Sequence, residues 1–405
     1  MEPRPVSIPS QSCGPTPPQT RVAALDVVRG FALFGIFLMN IEGMADTLAR
    51  SQGGIDLSLD GIDRQVDALI YVLVQGKFYT LFSFLFGIGF ALLAERVETV
   101  VYLRRLALLG VIGLLHATLV WPGDVLLSYA LVGLLLPLFR EGSARWLWRF
   151  GLVFYGVALA MLVWGLWLLI GPGGAGAGDS LAEIRAATMA AQASAYGEGS
   201  FRVATGQRLW DLLVVMFGLV QIGPLLFGMF LLGMAWVKRG AIADIAGHWL
   251  DYRRMAMFGL GLGLPLMVLA AWLAPDIGDI AHWRGIAGIL LAWVAQLWMC
   301  LGYFAAIVLL FHRHPSALSW LAPAGRMALT IYLLQSLIST WIFYGYGLGW
   351  FGQLPRAWQP LYVLAVFAVL VAFSHVWFAH FRHGPLEWLW RWGTYGVRPP
   401  MRRVA

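Results

Sequence analysis

The run Asp26-Val27-Val28-Arg29-Gly30-Phe31-Ala32-Leu33-Phe34-Gly35-Ile36-Phe37-Leu38-Met39-Asn40-Ile41 decides the fold. After Arg29 it carries no charge, and it belongs to an apolar stretch over 27–44. A helix needs roughly 20 mostly apolar residues to cross the hydrocarbon core of a bilayer. Residues 1–20, ahead of the run, are rich in Pro, Ser, Gln and Thr and read as a disordered cytoplasmic tail. They contain no apolar h-region and no small-residue cleavage site, so the run reads as an uncleaved span rather than a signal peptide.

Similar runs recur at 77–94, 106–121, 124–139, 150–170, 209–237, 255–274, 285–311, 327–343 and 360–381. The expectation is an all-α, polytopic membrane protein with about ten transmembrane helices. An amphipathic stretch at 63–76 would add an eleventh, interfacial or re-entrant helix. Composition agrees. Of 405 residues 60% are hydrophobic and 12% charged, against roughly 25% charged in soluble domains. So few charges cannot clothe a water-soluble globule, and a soluble multidomain enzyme is excluded.

The chain divides into a tail (1–20), an N-terminal membrane half (21–170), an external loop (171–208), a C-terminal membrane half (209–383) and a cytoplasmic amphipathic tail (384–405). The loop opens with the glycine-rich hinge 171–178 and continues in an Ala-rich helix. It reads as a lid or as a spacer. The net charge of +7 follows from Arg gathered in alternate loops. With the N-terminus inside, only Arg50, Arg64, Lys77, Arg185, Arg202, Arg208, Arg284 and Arg356 fall outside. This bias puts both termini in the cytoplasm. The basic balance is thus a topology signal, and no nucleic-acid partner is expected. Cys13 and Cys300 are too isolated for a disulfide or a metal site.

Polar groups at membrane depth are costly and are the first functional candidates. His116 ends one span and Asp124 begins the next, across Trp121-Pro122-Gly123. A carboxylate on one imidazole nitrogen leaves the other free as a base. The competing reading is a capping aspartate beside a structural histidine. Asp26 and Arg29 are spaced to pair on one helix face, or to serve as cap and anchor. Asn40 and Glu42 stand at the outer end, at the level expected for His116; Glu42 reads as facing water. Lys77 and Tyr79 enter the second span, with Lys77 read as a snorkelling anchor. Gln335 and Ser336 read as helix–helix glue. No His, Cys or carboxylate spacing suits a metal, so none is expected.

Three stretches carry a family resemblance. They are Leu25–Ile36 with Asn40-Ile41; Gly113-Leu114-Leu115-His116 with Gly123-Asp124; and Gly325-Arg326-Met327-Ala328-Leu329-Thr330 through Gln335-Ser336, closed by Gly384-Pro385-Leu386-Glu387. Together they resemble the YeiB-like family of bacterial inner-membrane proteins, a domain of unknown function grouped with the transmembrane acyltransferases. The likeness runs from 21 to 397. In the polysaccharide acyltransferases of that group a catalytic His stands ten residues or so after the Asp-x-x-Arg-Gly arginine. Here Asn40 occupies that place, as in the lysosomal branch, and no His occurs until His116.

The resemblance implies a multi-pass protein of the bacterial inner membrane. It implies acyl-CoA, such as acetyl-CoA, as co-substrate, with Arg29, Asp26, Lys77, Tyr79, Arg326, Gln335 and Ser336 as binding candidates. His116, Asp124 and Asn40 are the implied catalytic set. The acceptor is a glycan, a lipid or a small amine. Two other readings stay open: a transporter or flippase, and a lipid- or quinone-binding protein without turnover. A homodimer is also left open.

Overall fold

The computed structural model describes residues 23–170, 177–276 and 283–403. The expected tail 1–20 and most of the glycine-rich hinge 171–178 lie outside them. Among the described residues the fold is helical, and β-structure is limited to isolated bridges, Gly54 with Asp276 and Phe381 with Arg402.

Helix α1 (Ala23–Ala45) is followed by the short α2 (Leu48–Ser51), the amphipathic α3 (Gly61–Leu73), α4 (Lys77–Ala94), α5 (Thr99–Leu119), α6 (Leu126–Gly133) and α7 (Ala144–Ile170). The second half holds α8 (Ala177–Ala193), α9 (Phe201–Lys238), α10 (Trp249–Leu273), α11 (Trp283–Arg313), α12 (Pro315–Leu318), α13 (Ala322–Arg326), α14 (Ala328–Phe343), α15 (Gln359–His380) and α16 (Pro385–Tyr395). Among the described residues eight helical segments are long and apolar enough to cross a membrane, α3 and α4 counted together, and nine if the pair bent by 78° at Met327 is one span. Each helix satisfies its own backbone hydrogen bonds, the condition for standing in lipid.

The expected span at 124–139 is α6 followed by a 3₁₀ turn, Leu136–Phe139. It is too short to qualify by length. It still runs from Asp124, beside the end of α5, to Arg140, whose guanidinium donates to the Ala94 carbonyl at the end of α4. Pro137 lacks an N–H and breaks the α-helix there. Helix α9 begins at Phe201, within the segment 171–208 that was expected as a loop.

The bundle has two distinct ends. At the first, the start of α1 packs on α13, where a side chain on Gly325 would stand 1.8 Å from the Asp26 carbonyl oxygen. The start of α5 meets α16 there, with the Trp390 indole N–H donating to the Arg105 carbonyl at 2.9 Å. At the second end a cap covers the bundle. Gly352 donates to the Ala45 carbonyl, Gly345 to the Tyr196 carbonyl, and Ala49 to the Gln192 amide oxygen. The core between them is aromatic: Phe37, Phe84, Phe227, Phe230 and Phe304 are fully buried. Trp164, Trp167, Phe217, Val220 and Trp272 point outward on α7, α9 and α10, as suits a surface in contact with lipid.

The amphipathic α16 docks through its own carboxylate. Glu387 accepts from the Thr330 N–H (3.0 Å) and hydroxyl (2.7 Å), in the first turn of α14. Helix N-termini favour a negative partner there. Burial nevertheless outweighs these bonds and holds the Glu387 carboxyl above its usual range. The folded state therefore binds this proton more tightly than the unfolded state. Its contribution is full at acid pH and is lost as the pH rises through the raised value. The thermal midpoint is expected to carry a component that rises as the pH falls toward the ordinary carboxylate range, and that Glu387→Gln removes. Identical pH profiles in the two proteins would contradict this.

Candidate functional site

The α5–α6 hairpin builds the site. Helix α5 ends where the Val120 and Trp121 N–H groups both bond to the His116 carbonyl. Pro122-Gly123 turns the chain. Asp124 stands two residues before α6, its Oδ2 accepting the Leu127 N–H of the first turn at 2.8 Å. Its Oδ1 lies 2.8 Å from His116 Nδ1. One helical turn before His116, Gly113 supplies the clearance: a Cβ there would stand 2.4 Å from Leu127 N and 2.9 Å from Asp124 Oδ2.

The two side chains are 1% and 0% exposed. The carboxylate favours the tautomer with its proton on Nδ1, which leaves a lone pair on Nε2. His116 Nε2 is buried and has no hydrogen-bond partner. The Tyr332 ring stands 5.3 Å from the imidazole, and its hydroxyl accepts the Val125 N–H at 3.4 Å.

The depth of the pair differs from expectation. Tyr332 lies only two residues after Thr330, in the part of α14 held by Glu387 at the first end. The Trp121 indole, on the other side, donates to the Gly43 carbonyl near the far end of α1 (3.1 Å). The dyad thus sits inside the bundle rather than at its outer rim.

The other candidates fall into separate places. Asn40 is buried on α1, one turn before Gly43. Gln335 donates to the Leu33 carbonyl (3.2 Å) and ties α14 to α1, whereas Ser336 donates to the Tyr332 carbonyl one turn earlier within α14 (3.4 Å). Lys77 does not snorkel. It is fully buried and donates to the Tyr71 carbonyl (2.7 Å), while Tyr79 on the same helix donates to the Gln296 amide oxygen (3.4 Å). At the first end Arg29 pairs with Asp26 at 3.0 Å. Arg29 and Arg391 both lie close enough to Arg105 for their charges to repel it. Arg326 lies over the Phe378 ring at 4.0 Å.

One cluster escaped the sequence reading. Glu42 does not face water; it is buried, 2.9 Å from Arg356. Arg356 also contacts Asp67 at 2.8 Å and donates to the Gln359 amide oxygen. Asp67 accepts the Asp56 N–H and Asp63 the Ala357 N–H, so α1, α3 and α15 meet at one guanidinium. The available signal was that Arg356 lies on the side from which basic residues are otherwise depleted. Among the described residues no group of three His, Cys, Asp or Glu side chains could hold a metal.

Residues 236–397 match the family model described as "Protein of unknown function (DUF418)". The chain is 34% identical to "Uncharacterized protein YxaH" of Bacillus subtilis (strain 168), over 95% of this chain and 96% of that one. It is 31% identical to "Uncharacterized protein YeiB" of Escherichia coli (strain K12), over 94% and 98%. The chain belongs to the DUF418 family. An "Uncharacterized 39.9 kDa protein in amylase 3'region" of Bacillus acidopullulyticus is 26% identical over 94% of this chain and 96% of that one. No solved structure matches the chain. The segment matched by the DUF418 model contains α14, α16 and Arg356, whereas His116, Asp124 and Glu42 precede it.

Proposed function

We propose that this membrane protein transfers an acyl group, such as acetyl, from cytoplasmic acyl-CoA to an acceptor reached from the opposite side, with His116 as general base. The observation that carries the reading is the buried His116–Asp124 pair with Nε2 left unpartnered. Such an arrangement suits a base held in one tautomer.

In this reading the first end, with Arg29, Arg105, Arg391 and Arg326, faces the cytoplasm of a bacterial inner membrane, an orientation that the arginine bias supports. Those cations suit the phosphates of CoA. His116 Nε2 takes the proton of an acceptor hydroxyl or amine as its oxygen or nitrogen attacks the thioester carbonyl. The Asn40 amide donates to the oxyanion. The C–S bond breaks, the acyl group stays on the acceptor, and the thiolate leaves and recovers the proton from the imidazolium. The acceptor is a glycan, a lipid or a small amine.

The reading is tested in vesicles carrying the purified protein, with acyl-labelled acetyl-CoA on the cytoplasmic side and an envelope glycan and lipid extract on the other. Label bound covalently to an acceptor, with matching release of free CoA, is expected. Movement of an extract component across the bilayer with no CoA released would replace this reading by transport.

A further inference from the structure

The cap at the second end buries a cation that makes no ion pair among the described residues, although the Asp211 carboxylate is close enough to act on the same tyrosines. Arg208, in the second turn of α9, is fully buried. It donates to the Thr205 hydroxyl (3.1 Å) and the Tyr346 hydroxyl (2.8 Å). The rings of Phe201, Tyr344 and Tyr346 surround it at 5.2, 5.5 and 5.3 Å. Asp211, the carboxylate one turn on, is engaged instead by the Tyr196 hydroxyl and the Gln207 amide.

Two donors remain over. Arg208 Nε and the Tyr344 hydroxyl are both buried and neither has an acceptor. Burial holds the Tyr344 phenol well above its usual range, so it keeps its proton to donate. The carbonyls that end α14 are no substitute: Trp341, Ile342 and Tyr344 already accept from Leu348, Trp350 and Gly347. Buried donors without acceptors are rare, and a bound water or ion is the usual reason. Charge decides between them, since an unpaired buried cation is strongly destabilising. Size limits the ion. Tyr196 stacks on Tyr344 at 4.8 Å.

We propose that Arg208 Nε and the Tyr344 hydroxyl together bind a small monovalent anion of halide size. The ion ties the start of α9 to the loop after α14 and so fixes the cap, independently of any chemistry at His116. The test uses the full-length protein in detergent. Its thermal midpoint is followed as sodium gluconate is exchanged for sodium chloride or bromide at constant ionic strength. A saturable rise of about 2 °C is expected for a bound ion in tenfold excess over its dissociation constant. The rise should vanish in Tyr344→Phe, which keeps the ring, and in Arg208→Gln. No halide-specific rise in the wild type, as an ordered water would give, overturns the proposal. So does an equal rise in Tyr344→Phe.

Discussion

Replacing His116 by alanine, or Asp124 by asparagine, is expected to lower acyl transfer by about 10³-fold or more while the protein still folds. The two changes act on one proton path. Alanine removes Nε2, the atom that takes the proton. Asparagine keeps the shape and can still accept the Leu127 N–H in the first turn of α6. What it loses is the negative charge 2.8 Å from Nδ1. Without that charge the imidazole is no longer held in the tautomer that exposes a lone pair on Nε2, and the imidazolium formed during transfer is less stable. The rate of label transfer measures the first effect. The thermal midpoint, expected to change little in Asp124→Asn, separates it from unfolding.

Arg356→Met is expected to be the most destabilising single change, costing about 3–5 kcal/mol. It leaves Glu42 and Asp67, which share the guanidinium at 2.9 and 2.8 Å, buried and without their cation. It also frees the contact through which α3 and α15 hold the end of α1. Removing all three charges together, as Glu42→Gln, Asp67→Asn and Arg356→Met, should cost less than Arg356→Met alone, because no buried carboxylate is then stranded. Thermal unfolding in detergent reads both. A triple variant less stable than the single one would show that the cluster contributes through something other than charge pairing.

The helical architecture was legible because lipid imposes a simple rule: a long apolar run must be a helix. The rule fails for Leu126–Phe139, where Pro137 and a 3₁₀ turn leave a short segment that reaches only from the buried dyad to the end of α4. It also places residues only by counting along a straight span. That is why His116 was expected at the outer rim, whereas it packs against Tyr332 near the start of α14.

The pairing of His116 with Asp124 was legible because both flank one tight turn, so their meeting is a local matter. The Glu42–Asp67–Arg356 cluster was not, since it joins residues nearly 300 positions apart, such as Asp67 and Arg356. A weaker signal was present in the charges. Lys77, Arg208 and Arg356 all break the arginine bias, and all three are buried in the structure. A cation on the depleted side is not serving as an anchor, so its presence there asks for a specific partner.

The account rests on His116 as the base. The most direct measurement is the initial rate of label transfer from acetyl-CoA by wild-type protein and by His116→Ala, side by side in the same vesicles. The account predicts transfer by the wild type and a rate in the variant indistinguishable from vesicles without protein. Equal rates in the two proteins would contradict it.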